Sequence, residues 1–147
     1  MDFSTLQKNL EQVIETIDII VLESAMDNQT TIADIQADQM SVGLLSDGEP
    51  IRPELRSDEY ANLKIAEGGR APLYTPDLHN EGSFYRGIYA KIVDKAIETN
   101  STDGKTDDLI SKYGPLIFGL TEAFSGKLAE FILPDLQKKL KDGLINS

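Results

Sequence analysis

Cysteine and tryptophan are absent from this 147-residue chain, and histidine occurs once, at His79. Without cysteine there is no disulfide, no thiolate metal ligand and no thiol nucleophile. A lone histidine has no second one with which to share a zinc site, and Asp77 and Glu81 flank His79 at odd spacing in a loop, so a surface position is its expected place. No apolar run approaches the roughly 18 residues that a bilayer span requires, and the opening residues lack a basic stretch followed by an apolar core and a cleavage site. A protein made and kept in a cytoplasm, with no membrane partner, is the expectation. Bases are scarce at one end. Residues 1–50 hold ten acids and a single base, Lys8, so this third carries −9 of the formal net charge of −11. Residues 51–112 carry −2 and residues 113–147 balance to zero. A surface of that sign repels the phosphate backbone, which argues against reading or wrapping nucleic acid. It is either a solvated helix face that keeps the protein soluble or a face whose repulsion has a use.

What is present fits an ordinary globular domain: 40% hydrophobic and 27% charged residues, in a chain long enough to bury roughly two-thirds of its unfolded surface. One domain, 1–147, is expected. Phe3, Leu6, Leu10, Val13, Ile14, Ile17, Ile20 and Val21 recur at spacings of three and four with acids between them, which predicts an amphipathic helix over about residues 3–25. Ile19 and Leu22 widen its apolar stripe, so the helix is either well covered by the fold or touches a second chain. A break at 27–29 follows, and Thr31 with Asp34 has the spacing of a capping box for a second helix over about 29–42. The two make a helical hairpin at 1–42.

Residues 43–82 read as an extended loop with one short helical stretch, at 54–66, because Asp47-Gly48, Glu49-Pro50, Arg52-Pro53, Gly68-Gly69 and Thr75-Pro76 are turn signals. So long a loop is either mobile or ordered by function or by a neighbour. Arg52, Arg56, Lys64 and Arg70 fall in it, making it the part best able to dock on an acidic partner. Residues 83–120 form the sheet region. A strand over 84–93 would put Ile88, Ala90 and Ile92 on one face and Tyr85, Tyr89 and Lys91 on the other. Residues 96–100 are its partner, and 116–120 supply a third strand, since two alone are marginal. Residues 106–113 make a short helix stopped at Gly114. The C-terminal segment, 121–147, is a helix capped by Thr121 and running to about 142, with Phe124, Leu128, Phe131, Ile132, Leu136, Leu140 and Leu144 as its stripe and a kink at Pro134. The fold class is α+β: a helical hairpin, a small antiparallel sheet and a long C-terminal helix.

Motifs with chemistry are few. Asp103, Asp107 and Asp108 lack the alternating ligands and closing glutamate of a calcium loop. The glycines at 68, 69, 82 and 87 match no phosphate cradle. Carboxylates abound, yet nothing singles out a pair for acid/base work. No catalytic residue, cofactor or metal is expected, and an enzyme is not the reading.

The passage Thr75-Pro76-Asp77-Leu78-His79-Asn80-Glu81-Gly82-Ser83-Phe84-Tyr85-Arg86-Gly87, the strand pair after it, and the later Tyr113-Gly114 and Ile117-Phe118-Gly119-Leu120 together resemble the tail-completion, or head-to-tail joining, proteins of tailed bacteriophages. Members of that family show Leu-x-x-Thr-Gly-x-Leu/Phe-x-x-Ser at the entry to the hairpin. Leu78, Glu81, Gly82, Phe84 and Gly87 occupy those places here, so the threonine and the last serine are replaced. The stretch from Gly43 to Pro53, with Asp47-Gly48-Glu49-Pro50-Ile51, is similar to the family's passage between the N-terminal helices and the loop. The resemblance implies a virion protein forming a homomeric ring of about six or twelve copies between the portal or its adaptors and the tail, with DNA passing through unbound. It implies subunit or partner contacts at Arg52, Arg56, Arg70, Tyr85, Tyr113, Gly114, Leu116, Phe118 and Gly119, where 115–124 would turn its apolar surface outward. That stretch could equally complete the sheet and core. Carboxylates lining such a conduit would let DNA slide past. Two other classes stay open: a small acidic regulator or DNA-mimic inhibitor of a basic partner, and a dimeric module closed through the apolar side of 3–25.

Overall fold

A computed structural model describes residues 2–94 and 96–145. The elements in chain order are α1 (Phe3–Asp27), α2 (Gln29–Ser41), α3 (Asp58–Ala66), α4 (Ser83–Arg86), β1 (Ile88–Val93), β2 (Ala96–Ser101), α5 (Thr106–Tyr113), a 3₁₀ turn (Pro115–Ile117) and α6 (Glu122–Ile145). The α+β plan holds, with long helices at both ends of the chain and a small antiparallel sheet between them. None of the described helices is long and apolar enough to cross a membrane.

α1 begins where the Asp2 carboxylate accepts a 2.7 Å hydrogen bond from the Thr5 amide, satisfying one of the helix's orphan donors. It ends at a single residue, Asn28 (φ −107°, ψ 28°), after which α2 starts at once. The Asn28 side chain donates back to the Ser24 carbonyl at 2.7 Å, so it closes α1 and leaves the start of α2 without a side-chain cap. The capping box expected at Thr31 and Asp34 is unused, because α2 is already running through both residues.

Hydrogen bonds locate α6 along both helices. Gln39 bonds the chain at Gly119 and Thr121, just ahead of α6; Ser24 and Asn28 bond Asp135; Asp27 pairs with Lys139. α6 therefore runs antiparallel along α2 and then onto the end of α1. The antiparallel neighbour of the N-terminal helices is thus the C-terminal helix, and α1 and α2 do not lie back to back. A one-residue joint is shorter than the two to five residues an αα-hairpin turn uses.

Two apolar clusters hold the elements. Met40, Phe84, Ile88 and Ile117 are buried together, with Leu45, Leu109 and Phe118 packed against them. Ala25, Ile32 and Ala90 form the second, with Leu128 of α6 against it. Each large side chain so buried contributes about 1.5–3 kcal/mol.

The sheet has two strands, β1 and β2, in antiparallel register with Ile88 opposite Ser101, Ala90 opposite Thr99 and Ile92 opposite Ile97. β1 starts later than 84, since residues 83–86 coil into the single turn α4 behind Gly82, whose φ of 85° is left-handed. Ile88 and Ala90 are buried on the side that meets α2, whereas Ile92 is exposed. Lys95, between the two strands in sequence, lies outside the described residues. The loop 43–57 is ordered by a bond of its own, the Ile51 amide donating to the Gly43 carbonyl at 2.8 Å, and by one to the chain beyond α3, Leu55 donating to Tyr74 at 2.7 Å. Thr121 caps α6 by accepting from the Phe124 amide at 3.2 Å. α6 continues through Pro134, which sits on its exposed side. Phe124 is buried and Leu128, Ile132, Leu136 and Leu140 are half-buried, but Phe131 of the expected stripe faces solvent. The Leu144 side chain and residues 146–147 lie outside the described residues.

Candidate interaction surface

The expected third strand at 116–120 does not form. Gly114 (φ 91°) and Gly119 (φ 103°) bend the chain at either end, and Pro115 lacks a donor for a ladder, so the stretch becomes a 3₁₀ turn and an extended tail. Its backbone groups are satisfied by two side chains of α2. Gln36 donates to the Ile117 carbonyl (3.2 Å) and accepts from the Gly119 amide (2.8 Å) and the Thr99 hydroxyl (2.7 Å). Gln39 donates to the Gly119 carbonyl and accepts from the Thr121 amide, both at 2.8 Å. Both glutamines are fully buried. Two amides on one helix thus do the work of a neighbouring strand. From the other side, the Ser46 amide donates to the Leu116 carbonyl at 2.8 Å.

This fixes five of the expected contact residues. Tyr113 and Phe118 pack against the first apolar cluster, Phe118 with its ring 5.9 Å from that of Phe84. Gly114 and Gly119 are the bends. Only Leu116 leaves a large apolar side chain exposed here, at 45%. The stretch mainly completes the core, and its outward surface is small.

The arginines are dispersed. Arg52 pairs with Glu54 at 2.8 Å, two residues away on the same loop, and Arg70 pairs with Asp38 of α2 at 2.5 Å. Arg56 is exposed and has no such pair among the described residues. Tyr85 is half-buried against His79, ring to ring at 5.1 Å, and its hydroxyl donates to the Asp77 carbonyl. Burial, reinforced by the Asp77 charge, pushes this phenol far above its ordinary range and keeps it protonated. Lys64 donates to the Asp77 carboxylate at 2.9 Å and to the His79 carbonyl, so this half-buried pair ties α3 to the loop before α4. An open cleft of about 280 Å³ lies beside it, between α3, that loop and α5, with Lys105, Lys112 and Tyr113 at its far wall. The charged groups at its centre are already engaged with each other. Among the described residues no cluster of three or more histidine, aspartate or glutamate side chains could hold a metal ion.

A second exposed apolar surface, of larger side chains, lies along α1. Every residue of 2–15 is exposed, Phe3 at 81% and Ile14 at 60%, with Leu6, Leu10 and Val13 between them. Burial of α1 begins only at Thr16, and α6 is the helix it packs against most. The widened stripe of α1 pointed to cover or to a second chain, and the outer half has no cover from its own. The signal for Gln36 and Gln39 was also in the sequence: Ile32, Gln36 and Met40 occupy one row at i, i+4 and i+8, so an amide sits in the middle of an apolar face. No family model, curated protein or solved structure matches the chain.

Proposed function

We propose that this chain is a structural subunit that assembles with copies of itself into a ring, and that the ring joins head to tail in the particle of a tailed bacteriophage. The observation that carries the self-assembly is the outer half of α1. A helix of roughly 13 residues is marginal in water unless its apolar face is packed, and Phe3, Leu6, Leu10, Val13 and Ile14 are left exposed by the described residues. The place in the virion rests on the resemblance of residues 43–53, 75–87 and 113–120 to tail-completion proteins. The charge supports it, because a ring of net-negative subunits offers no adhesive surface to passing DNA.

The test is quantitative mass spectrometry of purified particles, with this chain counted against the major capsid protein. About six to twelve copies per particle are expected for a closed ring. Absence from particles, alongside abundant protein in the infected cell, would refute the joining role.

A further inference from the structure

We infer that the cleft between α3, the loop before α4 and α5 receives an extended acidic segment of a partner protein, which sets one aromatic side chain into the cleft and keeps a carboxylate on either side of it at the rim. The inference goes beyond the ring reading and does not rest on it, because no residue of α1, α2 or α6 lines the cleft.

The lining divides into an apolar interior and a charged rim. Leu55, Pro76, Leu78 and Phe84 are buried or half-buried, and α3 and α5 add the rings of Tyr60 and Tyr113. The ion pair of Lys64 with Asp77 is closed on itself, since Lys64 also donates to the His79 carbonyl, so it is satisfied without a ligand. The volume of about 280 Å³ falls just under the roughly 300–1,000 Å³ of sites for drug-sized molecules. It suits one large side chain and is small for a nucleotide. An aromatic side chain gains most from such a place, because it buries a large apolar area on few rotatable bonds.

The rim sets the charge of the visitor. Lys105, Leu109 and Lys112 follow one another at spacings of four and three, so they share one face of α5. The two lysines are rooted about 10 Å apart along the helix. Both are exposed, and neither has an ion pair among the described residues. The Lys112 ammonium lies 5.2 Å from the centre of the Tyr113 ring, which places it beside the cleft wall. Glu81 also lines the cleft and leaves it one charge positive, whereas Asp58, Glu59, Asp107 and Asp108 of the same two helices are not part of the lining. In a chain of net charge −11, this is a local reversal of sign that favours an acidic visitor over a basic one. An extended backbone supplies the match. Its side chains alternate, so one residue points into the cleft while its two neighbours stay outside, about 7 Å apart. Flexible lysine stems span the difference.

The experiment is saturation-transfer difference NMR of the full-length chain with the peptide acetyl-Glu-Phe-Glu-amide. Saturation of the phenylalanine ring protons and a dissociation constant of about 1 mM or tighter are expected. Acetyl-Lys-Phe-Lys-amide and acetyl-Phe-amide should bind at least about tenfold more weakly. Lys105→Glu combined with Lys112→Glu changes only exposed side chains and should weaken the acidic peptide at least about tenfold, and Tyr60→Ser should weaken it independently. Thermal melts confirm that both variants are folded. Equal binding of the acidic and basic peptides, affinity untouched by either variant, or no saturation at about 10 mM peptide would overturn the inference. Binding that emerges only when the protein is diluted would give the cleft to a second copy of this chain and overturn it as well.

Discussion

Replacing Gln36 with methionine keeps the length of the side chain and its helix preference while removing both polar ends. Three hydrogen bonds disappear, to the Ile117 carbonyl, the Gly119 amide and the Thr99 hydroxyl. Thr99 is half-buried and its hydroxyl can turn to water, so it contributes little to the loss. The Ile117 carbonyl and the Gly119 amide face a side chain that is fully buried in the wild type, and each orphaned group costs about 1–3 kcal/mol. The Thr99 oxygen lies 3.3 Å from the same Gly119 amide and takes up part of its load. A net loss of about 2–4 kcal/mol follows, a large share of the 5–15 kcal/mol typical of a domain. Urea unfolding followed by far-ultraviolet circular dichroism reads it, with an unchanged slope showing that the native state keeps its compactness. Pairing the substitution with Thr99→Val in a double-mutant cycle should give a coupling of at least about 0.5 kcal/mol. A loss below about 0.5 kcal/mol, or strict additivity with Thr99→Val, would show that the glutamines fill space and do not hold the 115–121 segment.

Gly119→Ala should cost about 1–3 kcal/mol, because the residue sits at φ +103° and an added Cβ would come within 3.0 Å of the Ser46 Cβ. Gly126→Ala, in the interior of α6 with nothing within 4 Å, should instead raise the urea midpoint, by about 0.5–1 kcal/mol of stability. Asp135 accepts from Ser24, its strongest partner, and also from Lys139 and Asn28, which together hold its carboxyl below the ordinary value of 3.8. That contribution is present above pH 3.8 and is lost as pH falls through the lower folded value. Melting temperatures taken from about pH 6 down to about pH 2 should therefore fall more steeply for the wild type than for Asp135→Asn, and parallel curves would show that the contact is not linked to folding.

Periodicity made the long elements legible. The apolar rows of α1 and α6, the stop at Gly114 and the cap at Thr121 all depend on neighbours within one helical turn, and such local chemistry reads directly from the chain. What escaped depends on partners far away in sequence. A third strand at 116–120 was a sound inference from apolar residues in a row, but Gln36 and Gln39, some eighty residues earlier, supply the bonds a strand would have supplied. The two helices of 1–42 were legible, but what covers them was not. Nothing in residues 1–42 announces that α6 will lie along both helices, or that Asn28 will spend its side chain on Ser24 and Asp135. At the interaction surface, the uncovered stripe of α1 was readable, and the spread of Arg52, Arg56 and Arg70 over separate partners was not.

The antiparallel seat of α6 on α1 and α2 also sets a timetable for synthesis. The bonds that fasten α6 and the segment leading into it to the N-terminal helices join residues 80 to 112 positions apart, Gln39 to Gly119 at one limit and Asp27 to Lys139 at the other. Such distant contacts make for slow folding, because the intervening loop must close before they return any free energy. At about 5–20 residues per second, the ribosome needs roughly 5–20 seconds to deliver α6 after α1 has emerged. During that interval both faces of α1 are bare, so the nascent chain is at its most adhesive before it is able to fold. The overhang assigned to the proposed assembly is, for those seconds, only the outer part of a longer exposed helix that a chaperone or a neighbouring nascent copy could seize.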